Sequence, residues 1–343
     1  MSDLSVVICS LDGQVGVARC LDALAAQTIA GRLEVIVVDD GSSDDTAGVA
    51  ERRGARVIRH AVNRGLSAAR NSGLAAAAAP VVGFLDDDCE PDPDWAQRLL
   101  SSYEDGVVGV GGAVESYGPP SRLARYLERR NPLAPLELGL EGGSGIAFRF
   151  GLYLKGLWDI SEPTGRRPVF SLVGANMSFR RDALEAVGGF DERFRFGAEE
   201  LDLCLRLRRA DPAGRLVVDP AARIRHYFEP ALRDTLRRSR AYGRGSARLY
   251  RKWPDVGPTF FPAPVVAAGL IVLTLARPSR ATVLAALLFP TLMFPAGLRH
   301  ALARRSLEPL GDGYLQLLQE VAEDVGFVHG LWLFRDFVPE PRA

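Results

Sequence analysis

The sequence is poor in cysteine, and its cysteines are widely spaced. The 343 residues include four of them, Cys9, Cys20, Cys89 and Cys204, and no two form a Cys-x-x-Cys pair. This spacing disfavours a zinc knuckle and a disulfide framework, and it fits a reducing compartment. A basic N-terminal segment followed by an apolar one is also missing, so we expect no signal peptide.

The chain has no net charge, because 42 basic residues balance 42 acidic ones. Without a basic excess, we expect no nucleic-acid partner. Hydrophobic residues make up 47% of the chain, which is enough for a large core, and the length allows two or three domains.

Two glycine-rich patterns that bind phosphate are absent. The sequence contains neither Gly-x-Gly-x-x-Gly nor Gly-x-x-x-x-Gly-Lys followed by Ser or Thr. In both patterns a loop of backbone N–H groups surrounds the phosphate. If the protein binds a nucleotide, a diphosphate bridged by a metal ion is therefore the better interpretation.

Apolar segments with strand character alternate with helical ones from the N-terminus onward. The predicted strands span residues 4–8, 33–38, 55–60, 81–85, 107–114, 216–218 and 222–225. Helical patterns occupy residues 18–27, the segment after Thr46, and residues 63–79. Strands that alternate with helices of this length predict an α/β fold with a parallel, right-handed, doubly wound sheet.

An acidic triplet follows one of these apolar strands. Asp86, Asp87 and Asp88 come directly after residues 81–85. Ligands of open α/β sheets bind at the carboxyl edge, and three adjacent acids repel one another unless a cation offsets them. Carboxylate oxygens suit Mg²⁺ or Mn²⁺. The alternative is a solvated acidic turn that caps the next helix.

A second acidic pair, Asp39 and Asp40, ends the strand at residues 33–38. On its own this pair could be an ordinary turn before a helix. Two acidic strand ends in one α/β half favour a nucleotide site, where a carboxylate accepts hydrogen bonds from a base or a ribose.

Two further acids begin a helical pattern near residue 200. Glu199 and Glu200 lie in its first turn, and they either cap the helix or supply a general base directed at the metal site. Farther along, His226 follows the last predicted strand. A lone histidine there is either a structural donor or a ligand near the metal.

The C-terminal third has a different composition. Arginines are dense between residues 233 and 251, and residues 256–276 and 281–298 contain no charged side chain. These two runs are close to membrane-span length, so we expect a hydrophobic hairpin associated with a membrane; a buried helical pair is the alternative. Residues 314–334 have the spacing of an amphipathic helix.

Three segments resemble motifs of family 2 glycosyltransferases in wording, order and spacing. They are Val-Ile-Val-Val-Asp-Asp-Gly-Ser-Ser-Asp at 35–44, Asn-Arg-Gly with Ala-Arg-Asn-Ser-Gly at 63–73, and Phe-Leu-Asp-Asp-Asp at 84–88. One such motif would be weak, but the ordered set is specific. The resemblance covers about residues 4–226. It implies a GT-A fold, which is Rossmann-like with a mostly parallel central sheet flanked by helices.

The resemblance also implies roles for individual residues. Asp40, together with Asp39, would contact the base or ribose of a sugar nucleotide, and Arg70 would lie near the nucleotide. Asp86 and Asp88 would be the two ends of an Asp-x-Asp motif, with Asp88 binding the metal directly. The other positions that it places in the donor site are Ser10, Asp12, Asp87 and Asn176.

On the acceptor side, the segment Gly-Ala-Glu-Glu-Leu-Asp at 197–202 is similar to the Glu-Asp motif of the family. Glu200 stands where the family generally has the catalytic Asp, so it would be the general base, with Glu199 as the alternative. His226 stands where related enzymes often carry a histidine near the metal or the diphosphate.

We therefore expect an inverting glycosyltransferase that uses Mg²⁺ or Mn²⁺ at the cytoplasmic face of the cell membrane. It would move a sugar from a UDP-, GDP- or dTDP-sugar to a hydroxyl of a glycan or lipid-linked acceptor, such as a cell-envelope glycan. Residues 1–105 would form the nucleotide-sugar-binding half and residues 106–235 the acceptor-binding half of one GT-A domain. Residues 236–343 would form a helical region that contains the hydrophobic hairpin 256–298.

Two other functions compete with this expectation. A GT-A-like nucleotidyltransferase would more often carry a basic residue in the loop after the first strand, and residues 10–16 contain none. A membrane scaffold that binds a sugar nucleotide without catalysis would not need the three aspartates and two glutamates described above.

Overall fold

A computed structural model describes residues 2–136, 145–158, 165–228 and 231–337. Over these ranges the chain divides into two compact units. The first comprises residues 2–120, 127–136 and 165–228, and the second comprises residues 121–126, 145–158 and 231–337.

The first unit contains one sheet of nine strands. The strands are β1 (Leu4–Ser10), β2 (Leu33–Asp39), β3 (Arg56–Arg59), β4 (Val81–Asp86), β5 (Cys89–Pro91), β6 (Val107–Tyr117), β7 (Arg167–Pro168), β8 (Asn176–Arg180) and β9 (Arg215–Tyr227). Their order across the sheet is β3-β2-β1-β4-β8-β6-β9-β5, and β7 pairs with β9.

Helices cover both faces of this sheet. They are α1 (Gln14–Ala25), α2 (Thr46–Arg52), α3 (Leu66–Ala76), α4 (Trp95–Ser101), α7 (Arg181–Ala186) and α8 (Glu199–Ala210). Two more helices, α5 (Arg122–Arg129) and α6 (Ile146–Trp158), come between α4 and α7 in the chain. Alternate side chains of a strand point to opposite faces. Accordingly Leu4, Val6 and Ile8 of β1 join one core cluster with α1 and α4, while Val7 joins a second cluster with α3, α7 and α8.

The sheet is mixed, which corrects the expectation of a mostly parallel one. β1 is parallel to both β2 and β4, and β2 is parallel to β3. β8 then runs antiparallel to β4 and to β6, and β5 runs antiparallel to β9. β8 alternates Met177 and Phe179 with polar residues, which is typical of antiparallel strands, whereas β1, β2 and β4 are nearly continuous apolar runs.

The two short strands expected at residues 216–218 and 222–225 form one continuous strand, β9. Its pairing with β6 shifts register, because Asp219 lies opposite Gly112 and Ile224 lies opposite Val114. Pro220 falls within this irregular segment, and bulges are where a sheet tolerates proline. The continuous strand carries His226 within the sheet.

Asn176 is a structural residue at the start of β8. Its side chain is fully buried and accepts a hydrogen bond from Trp95 Nε1 at 2.9 Å. Its amide donates to the carbonyls of Ala113 and Ala222, each at 3.0 Å. These bonds join β8 to β6, β9 and α4. The geometry therefore does not support the predicted donor contact of Asn176.

The second unit is helical. Its remaining helices are α9 (Leu232–Lys252), α10 (Pro262–Ala276), α11 (Arg280–Met293), α12 (Pro295–Arg304) and α13 (Asp312–Leu333). Glycines bring α9 and α13 close together, since a Cβ on Gly243 would lie 1.9 Å from the Glu323 carbonyl oxygen. A Cβ on Gly326 would lie 2.1 Å from the Arg240 carbonyl oxygen.

The hydrophobic hairpin expected at residues 256–298 corresponds to α10, α11 and the start of α12. Ser279 and Thr282 form a capping box at the start of α11. No single described helix combines the length and apolar composition of a membrane span; α11 and α12 do so only together, with a 73° bend between them. Pro295 begins α12 at this bend, where proline at the first helical position is favoured.

Candidate active site

The carboxyl ends of three parallel strands meet at one edge of the sheet. β1 lies between β2 and β4, with Ser10 opposite Asp39 and Cys9 opposite Asp86. The acidic strand ends predicted from the sequence are therefore neighbours. This edge is where open α/β sheets bind their ligands.

Hydrogen bonds join the end of β1 and the loop after it to the segments that follow β2 and β4. Ser10 Oγ donates a hydrogen bond to Asp87 Oδ2. Asp12 Oδ1 accepts hydrogen bonds from the Ser43 amide at 2.6 Å and the Ser43 hydroxyl at 2.9 Å, which lower the pKa of Asp12. Burial, with the charge of Asp88, raises the pKa of Asp87 to about 7. The hydrogen bonds of Ser10, Asp12 and Asp87 thus hold the loops of the site together.

Asp40 holds the loop at residues 64 and 65 in place. Its buried carboxylate accepts hydrogen bonds from the amides of Arg64 and Gly65 at 2.9 and 2.8 Å. His60 Nδ1 lies 2.6 Å from Asp40 Oδ1. These bonds occupy Asp40, so the geometry does not support its predicted contact with the nucleobase. The sequence reasoning missed His60, although it stands at the end of a predicted strand.

Asp39 is the acid of this pair that borders open space. It lines a cleft of about 330 Å³ together with Ser42, Asp44, Arg59 and His60. One of its oxygens, Oδ1, accepts a hydrogen bond from the Ser42 amide at 2.9 Å. The polar lining and the position beside the carboxyl edge suit a hydrogen-bonding ligand such as a nucleobase or ribose.

Arg70 connects the acidic triplet with the first turn of α8. It is only 2% exposed. Its Nη1 donates to Glu199 Oε1 at 2.9 Å, and its Nη2 contacts Asp86 Oδ1 at 3.4 Å and the Gly174 carbonyl at 3.1 Å. Burial at this depth makes Arg70 a link within the protein, where its charge offsets two carboxylates at once. Its place near the nucleotide stays a prediction.

Glu199 and Glu200 have different environments at the start of α8. Glu199 is 4% exposed and is paired with Arg70, whereas Glu200 is half-buried. Burial, with the neighbouring charge of Glu199, raises the pKa of Glu200 to about 8. Ala198, just before the helix, has the left-handed φ of +64°, which is costly for a residue with a Cβ. Such strain is common at functional sites.

His226 on β9 lies close to Asp88, which is in the turn between β4 and β5. His226 Nε2 lies 3.2 Å from Asp88 Oδ1 and 3.8 Å from Asp86 Oδ2. Cys89 is paired with His226 in the β5–β9 ladder. Ligand atoms of Asp88, Cys89 and His226 all lie within 4.8 Å of one another. This spacing fits a divalent cation, whose ligands lie about 2.0–2.6 Å from it.

The structure adds a thiol to the expected set of Asp88, Asp86 and His226, because Cys89 lies beside Asp88 and His226. Burial, with the charge of Asp88, raises the pKa of Cys89 well above its usual range. Thiolates select soft metals such as zinc, whereas carboxylates suit Mg²⁺ and Mn²⁺. The residues that fit a cation are therefore Asp88 and His226, with Asp86 close by. Cys89 follows Asp88 directly, and that adjacency was the signal for it in the sequence.

Two family models match the chain. One is glycosyl transferase family 2, over residues 5–188, and the other is glycosyl transferase family group 2, over residues 159–299.

Curated relatives are also glycosyltransferases. The pre-mycofactocin glycosyltransferase of Mycobacterium tuberculosis is 33% identical over 259 residues, which cover 74% of this chain and 48% of that protein. The glucosyl-dolichyl phosphate glucuronosyltransferase of Haloferax volcanii is 28% identical over 237 residues, which cover 65% of this chain and 68% of that protein. The chain thus spans about half the length of the first relative.

Solved structures share the fold. A mannosyltransferase from Pyrobaculum calidifontis, in complex with GDP-Man and Mn²⁺, has a TM-score of 0.61 at 18% identity, covering 96% of this chain and 87% of that one. GalNAc-T7 with UDP, GalNAc and Mn²⁺ has a TM-score of 0.50 at 16% identity, covering 75% and 51%. Such likeness establishes the fold alone, and it confirms the expected α/β fold of GT-A type.

The pairing of Asp88 with His226 predicts that nucleotide binding depends on a divalent cation. Asp88→Ala removes the carboxylate that meets His226, so we expect Mn²⁺-dependent binding of UDP or GDP to be lost. Isothermal titration calorimetry with and without Mn²⁺ measures this loss. Asp94→Ala is the control, because Asp94 is an exposed acid that pairs with Arg98. Equal, cation-dependent affinity in wild type and Asp88→Ala would contradict the assignment.

Proposed function

The chain belongs to glycosyltransferase family 2, and from that premise we propose that it transfers a sugar from a nucleotide sugar to an acceptor hydroxyl. One observation carries the proposal. Three features are positioned by neighbouring strands of one sheet and the helices packed on it. They are a polar cleft at Asp39, two side chains spaced to hold one cation at Asp88 and His226, and a carboxyl of raised pKa at Glu200. Each supplies one requirement of this reaction: a nucleotide site, a diphosphate site and a base.

The donor is a UDP-, GDP- or dTDP-sugar. Its base or ribose lies in the cleft beside Asp39, whose second carboxylate oxygen can accept a hydrogen bond. Structural neighbours solved with GDP-Man or with UDP support this class of donor. The proposal moves the base contact from Asp40 to Asp39, since Asp40 is bonded to the loop at Arg64 and Gly65.

Asp88 and His226 would hold the divalent cation, with Asp86 beside them. A cation there offsets the charge that develops on the departing nucleoside diphosphate. We favour Mn²⁺ over Mg²⁺ because an imidazole belongs to the site, and Mg²⁺ is usually bound through carboxylates, phosphates and water. The Mn²⁺ in both structural neighbours supports this choice.

Glu200 is the general base in this proposal. Glu199 is held by Arg70 at 2.9 Å, so its carboxylate is committed to that buried ion pair. Glu200 carries the raised pKa, and a base whose pKa lies near the working pH transfers protons efficiently. It would take the acceptor proton as the hydroxyl attacks the sugar from the face opposite the diphosphate, which inverts the anomeric centre.

The second unit suggests that the acceptor is lipid-linked and that the protein lies on a membrane. Its outward side chains are apolar: Val272 is 64% exposed and Leu275 78%. On α13 the pattern is inverted, since the inward face carries a polar series, each 5–7% exposed, at Asp312, Gln316, Glu320 and Asp324. Apolar residues outside and ionisable residues inside are typical of helices in contact with lipid.

Two further features support the membrane proposal. Gly326 and Gly330 form a Gly-x-x-x-Gly pair on α13 that allows close approach of α9, as small residues do in membrane helices. α10 has 15 residues and is about 22 Å long, which is shorter than a bilayer core. We therefore place these helices in the membrane interface, at the cytoplasmic face, where the few separated cysteines would stay reduced.

The assignment of the base predicts the effect of two neighbouring substitutions. Glu200→Gln keeps the size of the side chain but cannot take a proton, so transfer should slow by roughly a hundredfold to ten-thousandfold while donor affinity is kept. Single-turnover transfer at saturating donor measures this. In wild type the rate should rise with pH and level off above about 8, because the base must be deprotonated.

Glu199→Gln is the matched control at the adjacent position. It should slow transfer less than Glu200→Gln, and it should keep the pH dependence of the wild type. Collapse of turnover in Glu199→Gln with near-normal turnover in Glu200→Gln would assign the base to Glu199. Near-normal turnover in both variants would remove the base from this segment.

The exposed apolar face predicts binding to lipid vesicles. Full-length protein should float with vesicles of phosphatidylcholine and phosphatidylglycerol, and Val272→Glu combined with Leu275→Glu should weaken this binding, because charge is costly in the interface. The control combines Val15→Glu with Val62→Glu, at exposed valines of the first unit, and should float like the wild type. Wild-type protein that stays with the unbound fraction would contradict the membrane proposal.

A further inference from the structure

The strand that follows the acidic triplet is short and lies at the edge of the sheet. β5 has three residues and, among the described strands, pairs only with β9. Around it, the Tyr227 amide donates to the Asp88 carbonyl at 3.0 Å, and the Asp92 amide donates to the Arg223 carbonyl at 3.0 Å. A short edge strand of this kind needs side-chain contacts to keep its place.

Glu90, the central residue of β5, provides such contacts. Its carboxylate accepts a hydrogen bond from Arg225 Nη2 at 3.0 Å and from the Tyr117 hydroxyl, and Arg19 Nε lies 3.8 Å away. The Arg19 guanidinium also lies over the rings of Tyr117 and Tyr227, at 5.9 and 5.1 Å. We call Glu90, Arg19, Tyr117 and Arg225 the Glu90 cluster. It joins β5 to β9, β6 and α1.

The Glu90 cluster lies behind the candidate metal site. Paired residues of an antiparallel ladder point to the same face, and neighbours along a strand point to opposite faces. Cys89 pairs with His226 on the face of the metal site, so Glu90 and its partner Arg225 are on the other face. Glu90 therefore does not reach the cation, but it is two residues from Asp88 and its partner precedes His226.

We propose that Glu90 is a positioning residue for the metal site. By holding β5 against β9, it keeps the Asp88 carboxylate within 3.2 Å of the His226 imidazole, the spacing that one cation can bridge. Substitution of a residue that is hydrogen-bonded to a metal ligand commonly lowers metal affinity by about 10- to 100-fold, and Glu90 acts one step farther away, so we expect the lower end of this range. This inference rests on the proposed metal site, and it adds a residue from outside the family motifs described above.

The test is a titration of full-length protein with Mn²⁺, in the presence of UDP or GDP, followed by electron paramagnetic resonance. Glu90→Gln should raise the Mn²⁺ dissociation constant by about tenfold. Glu115→Gln is the matched control, since Glu115 lies on β6 of the same sheet and pairs with Arg223 of β9 at 3.3 Å. It should leave Mn²⁺ affinity unchanged. Thermal unfolding of each variant shows whether a change in affinity accompanies a loss of fold.

Unchanged Mn²⁺ affinity in a folded Glu90→Gln would overturn the positioning role and leave the metal site intact. An equal loss in Glu115→Gln would also overturn it, because the effect would then be general to the sheet. If wild type itself takes up no Mn²⁺ with either nucleotide, the proposed metal site fails first. Tyr117→Phe removes only one hydroxyl and should lower affinity less; should Glu90→Gln not fold, unchanged affinity in Tyr117→Phe overturns the proposal.

Discussion

Carboxylates crowd one edge of the sheet, and the site depends on how their charges are offset. Arg70 is buried with them and contacts both Asp86 and Glu199, so that one guanidinium serves the end of β4 and the start of α8. Asp88 meets His226 instead. Glu200 is left with burial and a like-charged neighbour, and the pKa of its carboxyl rises accordingly. Different environments thus separate residues of similar chemistry into different roles.

The same division by environment distinguishes the two units. In the first, apolar side chains of alternating strand residues face inward on both sides of a sheet, and the polar groups collect at its carboxyl edge. In the second, leucines and valines face outward and the acids of α13 face inward. A protein whose donor is water-soluble and whose acceptor is carried by lipid needs both kinds of surface, which is why we propose the two together.

Much of the site could be predicted from the sequence, because strands that are buried on both faces are recognisable and their carboxyl ends meet at one edge. That rule placed Asp39, Asp86 and Asp88 correctly at the edge. It could not tell Asp39 from Asp40, since neighbouring residues point in different directions and only the loop at residues 63–65 shows which carboxylate is occupied. Whether Glu200 is the base stays a prediction.

Other features needed the folded chain. The meeting of His226 with Cys89 depends on the pairing of β9 with β5, and no local pattern specifies the partner of a three-residue strand. Asn176 lies in a segment similar to the family motif, yet its burial and its bonds to Trp95 and two carbonyls make it structural. The alternation of Met177 and Phe179 with polar residues suits the antiparallel direction of β8, but no local pattern places this strand between β4 and β6.

The central claim is that Asp88 and His226 hold a divalent cation beside a nucleotide at the edge of the sheet. The most direct measurement is anomalous X-ray scattering from crystals of the full-length protein grown with Mn²⁺ and UDP or GDP. The account predicts one strong manganese peak bonded to Asp88 and His226, with the nucleoside in the cleft beside Asp39. A bound nucleotide with no manganese at these two residues would contradict it.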